Sequence, residues 1–396
     1  MEGMEYSYCT TILIAFLQIL TPTISTSQTA LAQHDSLTYS QVVCRHGNRN
    51  PLHTYGKYTE NYKNIWPEGL GELSDLGKYE GYQIGQFLRD RYSGFLHEGY
   101  KPNEIFVLSS GTDRTVQTAG ISMLGLFKKF MDAASWKKDP SLVSPSFEPI
   151  PIRTIPSELD NVLSLNADCP KRAQSIEDIR NSSFNQVYFR NDSTLEYILQ
   201  NTGQTKWLNP NATYEDIHWE LINALEIITS LSEQNKTVED WMLPLFSNEK
   251  FLAYKYHLVE KEHAKDLRTH RLHIGSLIKL IRENINKHLR GTREEKLDVF
   301  IGHDKNLLSL GWTLAINSSF ENRMPPAGSC ILVELHSKPK AEEPILEFWY
   351  RKGSENVKSA ISEHCSEPCT LSKFLKITEE VVDVDYETEC QELQRH

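Results

Sequence analysis

Long apolar runs are scarce in this chain of 396 residues. The one strongly hydrophobic stretch, residues 11–20 (TILIAFLQIL), is about half the length of a membrane-spanning helix. Its place at the extreme N-terminus, ahead of small polar residues, predicts a signal peptide over residues 1–32, cleaved between about 25 and 32. Positive charge is also in short supply, with 42 Lys and Arg against 53 Asp and Glu and a net charge of -11. Such a chain has no general electrostatic footprint for nucleic acid, so any anion must be met by a local basic pocket. Proline and glycine are few, at 17 and 20, and neither a low-complexity tract nor an internal repeat occurs. Collagen-like and wholly disordered classes are thereby excluded. Cysteine numbers only seven, and Cys9 falls in the signal segment, which leaves six, an even number suited to pairing in an oxidising space.

What is present is a globular composition, 39% hydrophobic and 24% charged, long enough for two domains or one large one. Five N-x-[ST] sequons, at Asn181, Asn191, Asn211, Asn235 and Asn317, crowd mostly into the middle of the chain and predict an exposed, glycosylated segment of a secreted protein. From Leu37 strand-like and helical runs alternate: a strand over 38–44, a helix over 75–92, a strand over 105–109 and a helix over 114–131. The rhythm lapses over 140–255 and returns with a helix over 261–288, a strand over 297–302, a short helix after Lys305, and strands over 331–335 and 345–350. The expected fold is α/β, a mostly parallel sheet flanked by helices. Residues 33–139 and 256–396 form its catalytic domain, and 140–255 form a smaller, mainly helical inserted lid.

The chemistry gathers where strands end. The run Cys44-Arg45-His46-Gly47-Asn48-Arg49-Asn50-Pro51 sets two arginines and a histidine just past an apolar strand, where open α/β sheets hold their ligands. Guanidinium forks match phosphate oxygens in pairs. The next strand leads into Asp113-Arg114 at the head of a helix, where backbone N–H groups also favour an anion. The strand near 300 ends in Gly302-His303-Asp304. Together these ends specify an anion pocket holding a nucleophile and a proton donor. Cysteine-dependent phosphatase chemistry does not fit, because four residues rather than five separate Cys44 from Arg49 and a reactive thiolate is ill suited to an oxidising space. His270-x-x-His273, half of a metal site by spacing alone, has no adjacent carboxylate and reads as core histidine. Tyr55, Tyr58, Tyr62 and Trp66 could line the leaving-group side of the pocket or form an ordinary half-buried loop.

Arg45-His46-Gly47-x-Arg49-x-Pro51 with His303-Asp304 resembles the signature of the histidine acid phosphatases, the family of the prostatic and lysosomal enzymes. Trp66-Pro67-x-Gly69-x-Gly71, Leu88-Arg89-x-Arg91-Tyr92, Asp113-Arg114-Thr115, Asp168-Cys169-Pro170 and Thr388-Glu389-Cys390 follow the same family in order. The resemblance implies that His46 attacks phosphorus to form a phosphohistidine, that Arg45, Arg49, Arg114 and His303 grip the phosphoryl oxygens, and that Asp304 protonates the leaving group. It implies a small phosphate monoester as substrate, no metal and no cofactor, and a homodimer as a common state of the family. The family's lysosomal membrane anchor has no counterpart after Cys390, which favours a secreted product. An inositol-polyphosphate phosphatase of the same superfamily is the enzymatic alternative, and a secreted binding protein that has lost turnover is the non-enzymatic one.

The resemblance also pairs Cys169 with Cys390 and Cys365 with Cys369. Cys330 matches a family position whose usual partner is missing here, and Cys44 is additional. Both are expected to remain reduced, Cys44 as a small apolar side chain in a buried strand, with a Cys44–Cys330 bridge as the alternative.

Overall fold

The structure is a computed structural model, and it describes residues 36–131, 149–164, 167–181, 192–204, 206, 209, 211–337, 342–365, 368–382 and 385–391. The signal segment and Asn191 lie outside these residues. One mixed sheet of eight strands organises the chain: β1 (Leu37–Arg45), β2 (Ile105–Ser110), β3 (Arg153–Ile155), β4 (Leu297–Gly302), β5 (Cys330–His336), β6 (Ile345–Arg351), β7 (Lys358–Ser359) and β8 (Cys369–Thr370). Their order is β3-β2-β4-β1-β5-β6-β7, with β8 also paired to β6. The first four form a parallel core, and β5 to β8 extend it antiparallel. Because β1, β4 and β5 sit at the centre with both faces covered, they are buried along nearly their whole length and show no alternation of polar and apolar residues.

Helices cover both faces. On one, helix 75–91 and helix 113–131 pack Ile84, Leu88, Met123 and Leu126 against Val42, Val299 and Leu332. The Ser74 hydroxyl caps the first of these by accepting from the Gly77 N–H, with Asp75 in the opening turn and Arg89 and Arg91 in the last, as the helix dipole favours. On the other face, helix 267–289 and helix 304–313 bring Ile274, Ile278 and Leu307 onto Phe300 and Ile331. The helix expected over 261–288 is two pieces: a π-helical turn over 261–265, then a helix starting at Leu267, whose first N–H groups are taken by the Asp266 carboxylate. A third apolar cluster joins helices 193–202, 214–233 and 249–260, through Leu195, Leu221, Ile228 and Phe251, to Tyr55, Tyr58 and Trp66. Residues 153–155, assigned by sequence to the helical insertion, instead form edge strand β3 of the main sheet.

Three disulfides are formed: Cys169–Cys390, Cys365–Cys369 and Cys44–Cys330. The third corrects the expectation of two free thiols. Cys44 on β1 and Cys330 on β5 are direct cross-strand partners in an antiparallel pair, with Cα atoms 4.1 Å apart, so the register itself brings the two side chains together.

Candidate active site

Register explains why distant motifs meet. β1 and β4 are parallel neighbours, and Arg45 stands beside Gly302, so Arg45-His46 and His303-Asp304 leave the sheet side by side. The His46 N–H donates to the Gly302 carbonyl at 3.0 Å, extending the ladder one residue past the strand. β2 flanks β4 on the other side and delivers Arg114 in the first turn of helix 113–131. All six residues singled out by sequence, His46, Asp304, Arg45, Arg49, Arg114 and His303, come from segments converging on this one edge, the carboxyl end of the parallel strands.

His46 is 2% exposed. Its Nδ1 lies 2.7 Å from the Gly47 carbonyl, which fixes the proton on Nδ1 and leaves Nε2 unprotonated. Burial, then the charges of Arg45 and Arg114, His303 and Arg49, hold its pKa well below that of an ordinary imidazole, so the ring is neutral. The Arg114 Nε donates toward that Nε2 at 3.3 Å. His303 stands edge-on to His46 with ring centroids 5.5 Å apart, and its Nε2 meets the Ser110 hydroxyl at 3.0 Å. Burial and the neighbouring Arg114 push its pKa down to about 3, so it too is neutral.

The guanidinium groups are anchored from behind. Arg45 donates through Nη1 to the Pro325 carbonyl at 2.6 Å and holds Nη2 3.5 Å from Asp304 Oδ2, while its buried Nε meets no acceptor among the described residues. Arg49 donates to Asn50 O at 2.9 Å and to Glu226 Oε1 at 2.8 Å. Burial and the proximity of Arg49 lower the Arg114 pKa to about 10, which leaves it charged at any acidic or neutral pH. Burial opposes ionisation of Asp304, yet Lys255, Arg45 and Arg49 outweigh it and hold its carboxyl well below the usual range. Three arginines and Lys255 thus face Asp304 and Glu226, a positive surplus that an incoming phosphate would balance.

The motif loop is fixed by the residues that stand between its signature positions. The Asn48 side chain donates to Glu233 at 2.6 Å and accepts from the Ser74 hydroxyl at 2.7 Å, and the Gln234 amide bridges Asn48 Oδ1 and Asn50 Oδ1. Gly47 is required by contact rather than by φ, since a Cβ there would lie 2.1 Å from the Gly77 carbonyl oxygen of helix 75–91.

Sequence reasoning missed Lys255 and Glu226. Both come from helices of the weakly patterned middle region, and Lys255 lies 3.1 Å from Asp304 Oδ2. No motif marks them, and only the folding of helices 214–233 and 249–260 over the strand ends brings them in. A cavity of about 250 Å³ opens outward from the arginines between these helices, with Pro51, Phe251, Leu252 and Met324 among its apolar walls and Glu226 and Glu233 among its acids. Tyr55, Tyr58 and Trp66 do not line it; they are buried in the third apolar cluster. His270 is spent on hydrogen bonds to the His263 carbonyl and the Thr313 hydroxyl, as befits a core histidine. Of the sequons described, Asn181, Asn211 and Asn235 are exposed and Asn317 is half-buried.

An α/β sheet that gathers a neutral buried histidine, three arginines and an acid at its parallel strand ends defines a class of phosphate-handling enzyme. Residues 36–351 match the model of the histidine phosphatase superfamily (branch 2), and the chain belongs to that superfamily. It is similar to the lysosomal acid phosphatase of Homo sapiens, 29% identical over 372 residues covering 90% of this chain and 80% of the relative. It is also similar to the prostatic acid phosphatase of Homo sapiens, 26% identical over 368 residues, or 91% of this chain and 89% of the relative. Both relatives are named as acid phosphatases. Among solved structures, the phytase of Citrobacter braakii aligns with a TM-score of 0.58 at 18% identity, covering 90% of this chain and 99% of that one. The multiple inositol polyphosphate phosphatase of Bifidobacterium longum, solved with inositol hexasulfate, also gives 0.58, at 12% identity over 86% and 91% of the two chains. At these identities the structural likeness speaks for the fold alone.

Proposed function

We propose that the protein is a secreted acid phosphatase that hydrolyses phosphate monoesters through a phosphohistidine on His46, with Asp304 as general acid. The observation that carries this reading is the state of His46: buried, neutral, with Nε2 unprotonated and three guanidinium groups and His303 around it. In this scheme Nε2 forms a bond to phosphorus as the P–O bond to the leaving group breaks. Asp304 passes its proton to the departing oxygen, and the arginines meet the charge spread over the equatorial oxygens. Water then attacks the phosphohistidine, giving up its proton to the Asp304 carboxylate. Asp304 is ionised in the empty site, so a phosphate monoanion is the fitting substrate form: it brings the proton and the charge that favours the neutral acid together. That requirement places activity on the acid side of neutrality.

The leaving-group cavity favours a compact, partly apolar ester over an inositol polyphosphate. Beyond the clamp, Arg323 and Lys255 are its cations, and Glu226 and Glu233 would oppose further phosphates. Residues 140–255 act in this reading as the helical lid that shapes the cavity. The three disulfides, the exposed sequons and the N-terminal apolar run support secretion; among the described residues no helix is long and apolar enough to cross a membrane. Comparing hydrolysis of an aryl phosphate with that of inositol hexakisphosphate at mildly acid pH tests the assignment. The aryl ester should be turned over and the hexakisphosphate poorly, and the reverse order would favour the phytase-like alternative. Binding of phosphate without turnover of either would favour the non-catalytic one.

A further inference from the structure

At the opposite end of the sheet, β5 and β6 bring together three side chains that the phosphatase chemistry does not use. Glu334 and His336 project from the same face of β5, and Glu347 on β6 is the cross-strand partner of Glu334. His336 Nε2 lies 3.8 Å from Glu334 Oε2 and 3.7 Å from Glu347 Oε2, outside hydrogen-bond reach of both. His336 is 1% exposed, and among the described residues this nitrogen has no hydrogen-bond partner. The other ring nitrogen, Nδ1, meets the Ser36 hydroxyl at 3.0 Å, the kind of outer contact that orients a metal-binding imidazole and leaves Nε2 as the ligand atom.

We infer that Glu334, His336 and Glu347 form a binding site for a divalent transition ion of the zinc type. One imidazole and two carboxylates are a ligand set zinc accepts, with water completing the coordination. An ion lying slightly off the line between atoms 3.7 to 3.8 Å apart sits about 2.0 to 2.2 Å from each, the usual zinc–nitrogen and zinc–oxygen distance. Charge points the same way. Glu334 is already balanced by Arg91, which donates through Nε at 2.7 Å and Nη2 at 2.8 Å, and Tyr92 donates to the same carboxylate. Glu347 faces the imidazole, and two carboxylate oxygens converging on Nε2 favour a positive species between them. With its side chain 32% exposed, Glu347 gives the ion a way in from solvent. His336 pairs with the first residue of β1, whereas Arg45 ends that nine-residue strand in the phosphate site, so roughly 30 Å separates the two centres. The ion therefore serves as a clamp on β1, β5 and β6 and takes no part in phosphoryl transfer.

The test is zinc titration by calorimetry on the chelator-stripped mature protein at pH 7, paired with thermal unfolding with and without zinc. The wild type should take up one ion per chain with a rise in melting temperature. His336→Asn and Glu347→Gln should each weaken that uptake tenfold or more and abolish the rise. Glu347→Gln alters a solvent-accessible side chain, so the test stands even if the His336 variant folds poorly. Absence of saturable uptake by the wild type, or equal uptake by wild type and Glu347→Gln, would overturn the site.

Discussion

Lys255 Nζ lies 3.1 Å from Asp304 Oδ2, so the residue proposed as proton donor is held ionised by a cation from the overlying helix. Folding depresses the Asp304 pKa, and removing the cation must raise it. Lys255→Met should move the acid limb of the kcat/KM profile upward by about one pH unit, at the low end of what a neighbouring charge does to a carboxyl group, while the alkaline limb stays with the second ionisation of the substrate. The profile between pH 3 and 8 with an aryl phosphate checks this. An acid limb that stays in place would remove Asp304 as its origin.

The Arg49–Glu226 pair predicts opposite effects from its two members. Arg49→Ala should cost about 2 to 4 kcal/mol in kcat/KM and weaken inhibition by inorganic phosphate, as loss of a preorganised charge does. Glu226→Gln frees Arg49 from its counter-ion and should tighten phosphate inhibition while lowering kcat, because product leaves more slowly. Inhibition constants for phosphate in the two variants decide whether Glu226 tempers the clamp.

The motif residues were legible because each sits in a short contiguous signature, and the parallel strands that carry them read plainly as apolar runs. Glu226 and Lys255 were not legible, since their helices carry no signature and their role arises only when they fold across the strand ends. The Cys44–Cys330 bond depends on the pairing of β1 with β5, a register that strand patterns alone do not specify. The even number of cysteines in the mature chain, with Cys44 near the end of one predicted strand and Cys330 at the start of another, was the available signal. The helix break at Asp266 is marked by no proline or glycine, since residues 261–267 read Lys-Glu-His-Ala-Lys-Asp-Leu.

That disulfide makes its own prediction. Thiol titration of the denatured, unreduced mature protein should find no free thiol. Replacing Cys44 and Cys330 together by alanine should lower stability by about 2 to 4 kcal/mol, measured by denaturant unfolding. Two free thiols in the wild type would return these cysteines to the reduced state.

The central claim is that His46 carries the phosphoryl group, and alkaline quench of the enzyme during turnover of a phosphorus-labelled aryl ester tests it most directly. The account predicts a label on His46 that is lost in acid and persists in base, remains after chelator treatment, and is missing from His46→Ala. A label on Asp304 or on a serine, or an undiminished label in His46→Ala, would contradict it.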